Sequence, residues 1–306
     1  MARNISKTIK QALPDIQKNV LLKNYTTYKI GGPAQYFFVA RTKEDLIKAV
    51  KIAKELKLPI FILGGGSNVL VSDKGFNGLV IRVANRELEV KAHLVQVSAG
   101  AMLSKLAGLA IENSLTGLEW ASGIPGTVGG AVFGSAQAFG DKISDSVEKV
   151  EALDLKTLKI KKLSKKQCKF SLKNSIFKRD KNLIIISVFL KFKKGDKTQI
   201  QKKIIEYLNY RKKNHPVECP SAGSVFVNPE NKEGIIPAGY LIEKAGLKGK
   251  KIGGAEISKK HANFIINLGQ ARAKDVLALI KLAKKEVKKK FGINLEQEVQ
   301  MLGFKA

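Results

Sequence analysis

The sequence has few of the features that mark secreted, disulfide-bonded or membrane proteins. Only two of its 306 residues are cysteines, Cys168 and Cys219, and they form no CxxC pair. Two reduced thiols and no metal site are therefore expected. No run of about 18 apolar residues exists, so no membrane insertion is expected. The segment Met1–Val20 lacks the continuous apolar core of a secretory signal, and a cytoplasmic location is expected.

Acidic residues are scarce beside basic ones. The chain has 26 Asp and Glu against 55 Lys and Arg, which gives a net charge of +29. Such a charge can indicate a nucleic-acid partner. However, only seven of the cations are arginines, the lysines are spread over the whole chain, and no interleaved aromatic residues are evident for stacking on bases. A lysine-coated surface that also favours anionic substrates is the simpler interpretation, and a nucleic-acid partner is not expected.

The length allows two domains with hydrophobic cores, and the composition, 44% hydrophobic and 26% charged, is typical of a globular protein. Apolar periodicity predicts alternating strands and helices, with a turn and domain boundary at Lys193–Lys197. The strands are predicted at 36–39, 60–63, 79–83, 95–97, 147–155, 183–192, 224–227, 252–257 and 263–268. The helices are predicted at 45–56, 102–113, 199–213, 238–245 and 273–290.

Two glycine-rich loops each follow an apolar run. The first is Gly64-Gly65-Gly66-Ser67-Asn68-Val69-Leu70, and the second is Gly123–Ala131. Consecutive glycines cost conformational entropy, so they indicate a backbone that approaches a ligand closely with its N–H groups facing an anion. Two such loops suggest one long phosphate-bearing ligand held at both places. No GxGxxG follows an N-terminal strand, so a Rossmann fold is not predicted.

Both loops belong to a series of motifs in a defined order. The motifs are Thr26-Thr27-Tyr28-Lys29-Ile30-Gly31-Gly32-Pro33-Ala34, the first loop, Gly123-Ile124-Pro125-Gly126 with Val128-Gly129-Gly130-Ala131, Ala222-Gly223-Ser224-Val225-Phe226, Ile252-Gly253-Gly254-Ala255 with His261-Ala262-Asn263, and Leu295-Glu296-Gln297-Glu298-Val299. Each motif alone is weak. In this order and spacing, from about Tyr25 to Gly303, the chain resembles the UDP-N-acetylenolpyruvoylglucosamine reductases (MurB), in their shorter type II form.

The resemblance implies an α+β fold: a two-lobed FAD-binding domain of the PCMH/VAO type at 25–195, with lobes at about 25–85 and 86–195, and then a smaller α/β substrate-binding domain at 199–306. It also implies an FAD-dependent oxidoreductase that uses NADPH as co-substrate, acts on a UDP-sugar in peptidoglycan precursor synthesis, and is a monomer. The residues it assigns to FAD are Gly64, Gly65, Gly66, Ser67, Asn68, Val69, Leu70, Gly123, Ile124, Gly126, Thr127, Gly129 and Gly130.

The resemblance assigns three catalytic residues. Ser224 matches the proton donor of the family, Glu298 matches its catalytic glutamate, and Lys173 stands where the family has an arginine. Taken alone, a serine after glycine at a strand start is a turn residue, and a glutamate on a terminal strand is a surface carboxylate. The substrate-binding residues are expected to be Arg211, Lys213 and Asn228.

The chain departs from the family pattern at three places. Leu172-Lys173 replaces Tyr-Arg, so the planar fork that grips a carboxylate is lost. Ser135-Ala136-Gln137-Ala138 replaces Asn-Ala-Gly-Ala next to the expected flavin. Asn214 stands where a basic residue is common, and Arg211 or Lys213 would reach the substrate diphosphate instead.

Two other functions remain open at this stage. One is a different flavoprotein oxidoreductase of the same fold, such as an oxidase for another small molecule. The other is a weakly active or non-catalytic relative, such as a flavin- or nucleic-acid-binding module, and the changes at Lys173 and Ser135 and the net charge favour it.

Overall fold

The computed structural model describes residues 2–231 and 234–304. The helices are α1 Ala2–Ala12, α2 Lys43–Glu55, α3 Leu103–Glu112, α4 Val128–Phe133, α5 Ile143–Ser146, α6 Ile176–Arg179, α7 Lys197–Asn214, α8 Ala238–Lys244 and α9 Ala273–Phe291, with 3-10 turns at Leu22–Tyr25 and Glu119–Ala121. Of the predicted domain 199–306, residues 232–233 and 305–306 lie outside the described residues.

Short strands alternate with these helices along the whole chain. They are β1 Gln17–Leu21, β2 Pro33–Ala40, β3 Ile60–Leu63, β4 Val69–Val71, β5 Phe76–Val83, β6 Leu88–Lys91, β7 Leu94–Ser98, β8 Leu115–Thr116, β9 Gln137–Ala138, β10 Asp141–Lys142, β11 Val147–Asp154, β12 Ile160–Ser164, β13 Leu183–Lys191, β14 Lys193–Lys194, β15 Ser221–Ser224, β16 Glu230–Asn231, β17 Gly234–Ile235, β18 Lys251–Ile252, β19 Ala255–Ile257, β20 Phe264–Asn267 and β21 Gln300–Leu302. The predicted α+β class is confirmed.

The chain divides into two compact units that interleave in sequence. Unit 1 contains the chain up to Lys18, Tyr36–Gly65 and Gly78–Asn209; unit 2 contains Asn19–Gln35, Gly66–Asn77 and the chain from Tyr210 onward. Two segments of the predicted FAD-binding domain thus lie in unit 2. The physical reason is the parallel pairing of β4 with β21, which joins Val69 to Gln300 and is invisible to local sequence patterns. The domain boundaries 25–195 and 199–306 stay a prediction.

Unit 1 has its core between helices and two sheets. One sheet has the strand order β1-β2-β5-β3, and the other has the order β12-β11-β13-β7-β6 with antiparallel neighbours throughout. The strand predicted at 183–192 is the middle strand β13 of the second sheet. Its residues Ile184–Val188 are almost entirely buried, as expected for a continuous run of β-branched residues.

Unit 2 has a smaller core built on the antiparallel sheet β15-β20-β19-β18 and on helix α9. The helix predicted at 273–290 is confirmed, and its apolar face is buried from Val276 to Val287. It ends at Gly292, which has the left-handed φ of 72° common after helix ends. At its start, the carboxylate of Asp73 accepts the N–H groups of Ala273 and Lys274.

Three predicted elements are wrong in position. The single strand expected at 252–257 is a hairpin of β18 and β19, because Gly253 and Gly254 form a turn between them. The strand expected at 224–227 is β15, Ser221–Ser224, because the chain then turns to pair with another segment: Val227 donates its N–H to the carbonyl of Glu296 at 2.9 Å. The turn expected at Lys193–Lys197 is shorter, because Lys193 and Lys194 form β14 and pair with β8. Among the helices described here, none has the length and apolar character needed to cross a bilayer.

Candidate active site

The two glycine-rich loops meet in unit 1. Gly64 and Gly65, at the end of β3, lie directly against Gly126 and Thr127. A Cβ atom on Gly65 would lie 2.7 Å from the Cα atom of Gly126, and one on Gly64 would lie 2.5 Å from the Thr127 hydroxyl. The absence of side chains is therefore what allows the loops to touch. The Thr127 hydroxyl also accepts the N–H of Gly130 and so begins helix α4.

The first loop also presents unused backbone donors. In the part of the chain that the structure describes, the N–H groups of Gly65, Gly66 and Ser67 donate to no other atom. Such a row of N–H groups is an anion-binding arrangement. The carbonyl of Gly66 accepts the N–H of Thr27 at 3.1 Å, which holds the peptide after Gly66 in place.

Lys173 lies at the tip of a tight turn in unit 1. Ser171 and Asn174 exchange both backbone hydrogen bonds, at 3.0 and 3.2 Å, with Leu172 and Lys173 between them. Lys173 has a φ of 51°, which side-chain-bearing residues rarely adopt. The hydroxyl of the fully buried Ser175 donates to the carbonyl of Phe133 at 2.7 Å. This bond ties the turn to the end of α4, the helix that the second glycine loop begins.

Ser224 and Glu298 lie on neighbouring segments of unit 2. The N–H of Glu298 donates to the carbonyl of Val225 at 2.8 Å, directly after Ser224. An isolated bridge between Phe226 and Gln297 continues this pairing. Both Ser224 and Glu298 are half-buried, and the Ser224 hydroxyl donates to no atom and accepts from none within residues 2–231 and 234–304. The structure thus places the two predicted catalytic residues of this unit on paired backbone segments.

Asn68 joins the first loop to the Glu298 segment, also within unit 2. Its side-chain Nδ2 donates to the carbonyl of Glu298 at 3.4 Å, and its own carbonyl accepts the N–H of Gln300 at 3.1 Å. From here Val69 and Leu70 continue as β4, and both are buried. These bonds explain why Gly66–Leu70, Ser224 and Glu298 share one unit although they are remote in sequence.

Thr27 holds the same region from the other side, and the sequence analysis assigned it no role. Its hydroxyl donates to the carbonyl of Ser221 at 2.7 Å, while its N–H donates to Gly66. Tyr28 follows it, fully buried, and burial raises the pKa of its phenol far above the ordinary value. The signal was present in the motif Thr26–Ala34, where polar residues precede two glycines.

The three predicted substrate-binding residues, two of them near the end of α7, are in different environments. Arg211 is half-buried, and desolvation lowers the pKa of its guanidinium. Lys213 is exposed. Asn228 is exposed as well, and its Oδ1 accepts the N–H of Ala238 at 2.9 Å at the start of α8. Asn228 therefore has a structural partner of its own.

Two histidines pack together in an aromatic cluster, and one of them, His215, lies near Arg211. The rings of His215 and His261 meet edge to face at 5.3 Å, and both contact Phe264 at about 5 Å. Burial, with the charges of His261 and Arg211, lowers the pKa of His215 to about 4; burial also lowers the pKa of His261. Both imidazoles are thus held in the neutral form at pH 7.

This cluster predicts a loss of stability in acid. Because the pKa of His215 falls from 6.5 to about 4 on folding, the unfolded chain binds its proton first. The free energy of unfolding is therefore expected to be maximal above about pH 6.5 and to fall as the pH drops toward 4. Urea denaturation at pH 7.5 and 5 measures it. His215→Gln should reduce the difference in the free energy of unfolding between the two pH values. His93→Gln, at an exposed site, should leave that difference unchanged. An equal difference in both variants would show that His215 is not the cause.

The segment after the second loop contains Ser135 and Gln137, two of the residues that replace the expected motif. Ser135 is buried and has a φ of 48°, a conformation that asparagine adopts more readily. Gln137 stands in the place of glycine and belongs to the short strand β9, which pairs with β10. The chain accommodates both replacements without breaking the turn that follows α4.

Comparisons with known proteins address the chain as a whole. Residues 34–164 match the family model "FAD binding domain", and residues 215–302 match "UDP-N-acetylenolpyruvoylglucosamine reductase, C-terminal domain". The UDP-N-acetylenolpyruvoylglucosamine reductase of Caldanaerobacter subterraneus is 42% identical, with 100% of both chains covered. The chain belongs to this reductase family. The enzyme of the same name from Caldicellulosiruptor bescii is 45% identical over 92% of this chain and 89% of its own.

A solved structure agrees. The crystal structure of UDP-N-acetylenolpyruvylglucosamine reductase from Thermus caldophilus has a TM-score of 0.79 and 36% identity, and the match covers 94% of this chain and 99% of the other. Family membership confirms the predicted enzyme class, an FAD-dependent oxidoreductase, and the predicted fold with its FAD-binding domain.

The residues present fit FAD. The first loop offers free N–H groups for a diphosphate, and Gly64 and Gly65 leave no space that a side chain could occupy without moving the second loop. In addition, the Asn68 Oδ1 atom is buried without a hydrogen-bond partner among the described residues. A buried acceptor of this kind is expected to receive a donor from a ligand or a water.

Proposed function

We propose that this protein catalyses the NADPH-dependent, FAD-mediated reduction of UDP-N-acetylglucosamine enolpyruvate to UDP-N-acetylmuramate in peptidoglycan precursor synthesis. The observation that carries the proposal is the pairing of the Ser224 segment with the Glu298 segment in unit 2. A hydroxyl without a hydrogen-bond partner among the described residues, in a segment that pairs with the segment of a half-buried glutamate, is suited to proton transfer. The monomeric state and the cytoplasmic location stay predictions.

Three residues of the chain have separate tasks in this reaction. When bound, FAD supplies the hydride chemistry. Ser224 gives its hydroxyl proton to the substrate carbon next to the carboxylate, because an enolate carbon is basic enough to take it. Glu298 stabilises the arrangement around that hydroxyl. Lys173 places a positive charge on the substrate carboxylate, where negative charge develops.

Arg211 and Lys213 are proposed to bind the substrate diphosphate. They come from the same end of α7, which has three basic residues in its last turn. Lys260 donates to the carbonyl of Lys212 at 2.9 Å and so fixes this end of the helix. Asn228 would serve through its side-chain Nδ2, since its Oδ1 is engaged with Ala238.

An anaerobic titration tests the function in two halves. NADPH should bleach the visible absorption of the flavin, and UDP-N-acetylglucosamine enolpyruvate, added next without oxygen, should restore it. Reduction without reoxidation by this substrate would overturn the proposal. Rapid reoxidation by oxygen, in preference to the substrate, would instead favour an oxidase of the same fold.

Substitutions of Lys173 are expected to change the rate of flavin reoxidation by the substrate to different degrees. Lys173→Ala should slow reoxidation by the substrate about a hundredfold, because the charge facing the developing anion is lost. Lys173→Arg should be at least as active as the natural protein, since it restores the planar two-pronged donor. Stopped-flow absorbance measures both. If the alanine variant reoxidises at the natural rate, another cation has this task.

A further inference from the structure

The turn that carries Lys173 contains strain. A lysine at a φ of 51° is in a conformation that glycine or asparagine adopts at less cost. Such a conformation persists when the surrounding structure determines it, and it is often found at functional sites. The hydrogen-bonded pair Ser171 and Asn174 closes the base of the turn, and the buried Ser175 anchors it to α4. These contacts hold the base of the turn.

Lys178 holds that tip. Its Nζ atom donates to the carbonyl of Lys173 at 3.0 Å, and the bond is partly buried. Lys178 belongs to the short helix α6, which starts directly after Ser175. A charged donor forms a stronger hydrogen bond than a neutral one. This bond therefore opposes rotation of the peptide that follows Lys173.

The chemistry of lysine explains why such a restraint matters here. An arginine delivers two parallel N–H donors from a rigid plane, so its own geometry orients it on a carboxylate. A lysine is a point charge on a flexible stem, and it loses more rotamer freedom for each hydrogen bond it makes. A chain with lysine in the arginine position gains from a fixed backbone, because only the side chain then remains to be ordered.

We propose that Lys178 is a positioning residue for Lys173: its bond to the Lys173 carbonyl fixes the strained turn and thereby delivers the Lys173 ammonium group to the substrate carboxylate. This inference rests on the proposed function. Lys178 itself does not touch the substrate; it acts through the turn.

A double-mutant cycle in the FAD-loaded protein tests this. Lys178→Met removes the ammonium group and keeps most of the apolar stem, and Lys181→Met is the matched control, because Lys181 is exposed and carries the same charge. Lys178→Met should slow reoxidation by the substrate about tenfold, because one charge-assisted hydrogen bond is lost. The rate at which NADPH reduces the flavin should not change. Lys181→Met should leave both half-reactions unchanged. Lys178→Arg should rescue the rate.

The decisive measurement is the same change in a Lys173→Ala background. If Lys178 acts through Lys173, Lys178→Met should have no further effect there, which is full coupling between the two sites. Equal effects in both backgrounds, or equal effects of Lys178→Met and Lys181→Met, would overturn the inference. Hydrogen exchange of the turn amides should rise in Lys178→Met. If the substrate does not reoxidise the unmutated protein, the proposed function fails. Hydrogen exchange then tests the inference alone. Equal protection of the turn amides in Lys178→Met and in the unmutated protein would show that Lys178 does not restrain the turn.

Discussion

Ser224→Ala is expected to leave reduction of the flavin by NADPH intact and to slow its reoxidation by the substrate by a factor of about 10² to 10⁴, the usual contribution of a positioned general acid. The hydroxyl has no partner among the described residues, so its removal leaves no buried group unsatisfied and should not disturb the fold. The neighbouring backbone bond between Glu298 and Val225 does not involve the side chain. Stopped-flow absorbance of the two anaerobic half-reactions separates the effects.

Ser221→Ala is the matched control for this experiment. Ser221 lies on the same strand β15 and is also half-buried, but among the described residues its hydroxyl makes only one hydrogen bond, a long one of 3.4 Å accepted from the N–H of Gly223. Its loss should change neither half-reaction appreciably. If Ser224→Ala slows both halves equally, the serine supports the site as a whole and does not donate the proton.

Gly65→Ala is expected to yield protein without flavin. The added Cβ atom would lie 2.7 Å from the Cα atom of Gly126, and neither backbone can move aside without displacing a glycine loop. Overpacking of this kind costs about 1 to 3 kcal/mol of stability. The larger consequence is functional, because separating the loops moves the N–H groups that we expect to face the cofactor. The ratio of flavin to protein absorbance after purification, together with urea denaturation, measures both effects.

Gly108→Ala is the control for that variant. Gly108 lies inside helix α3, and a Cβ atom there would have no neighbour within 4 Å. Alanine in a helix interior is better than glycine by about 0.5 to 1 kcal/mol, so this variant should keep its flavin and become slightly more stable. Full flavin content in Gly65→Ala would show that contact of the two loops is not needed to hold the cofactor.

Local patterns predicted the individual elements well. Helix α9 was visible in the apolar spacing from Val276 to Val287, and the middle strand of the larger sheet was visible in its β-branched run. The two glycine loops were also visible, because a stretch without side chains is unusual at the end of a buried strand. In each case the residues that determine the element are adjacent in sequence.

Local patterns failed where remote segments decide the conformation. The strand predicted at 224–227 ends at Ser224, because the following residues pair with the segment around Glu296. The placement of Gly66–Asn77 in unit 2 follows from the pairing of β4 with β21, more than two hundred residues away. No periodicity encodes a partner at such a distance.

The glycine loops and the Lys173 turn show the same difference between what local sequence determines and what tertiary contacts determine. The sequence alone determined the elements, the two loops, the family and the replacement of arginine by Lys173, since these depend on residue type and order. Only the tertiary structure decided that Gly65 meets Gly126, that the Ser224 segment pairs with the Glu298 segment, and that Lys178 restrains a left-handed Lys173. These are contacts and backbone angles that folding imposes, and a lysine five residues after another has no such meaning until a turn brings its ammonium group back to the carbonyl.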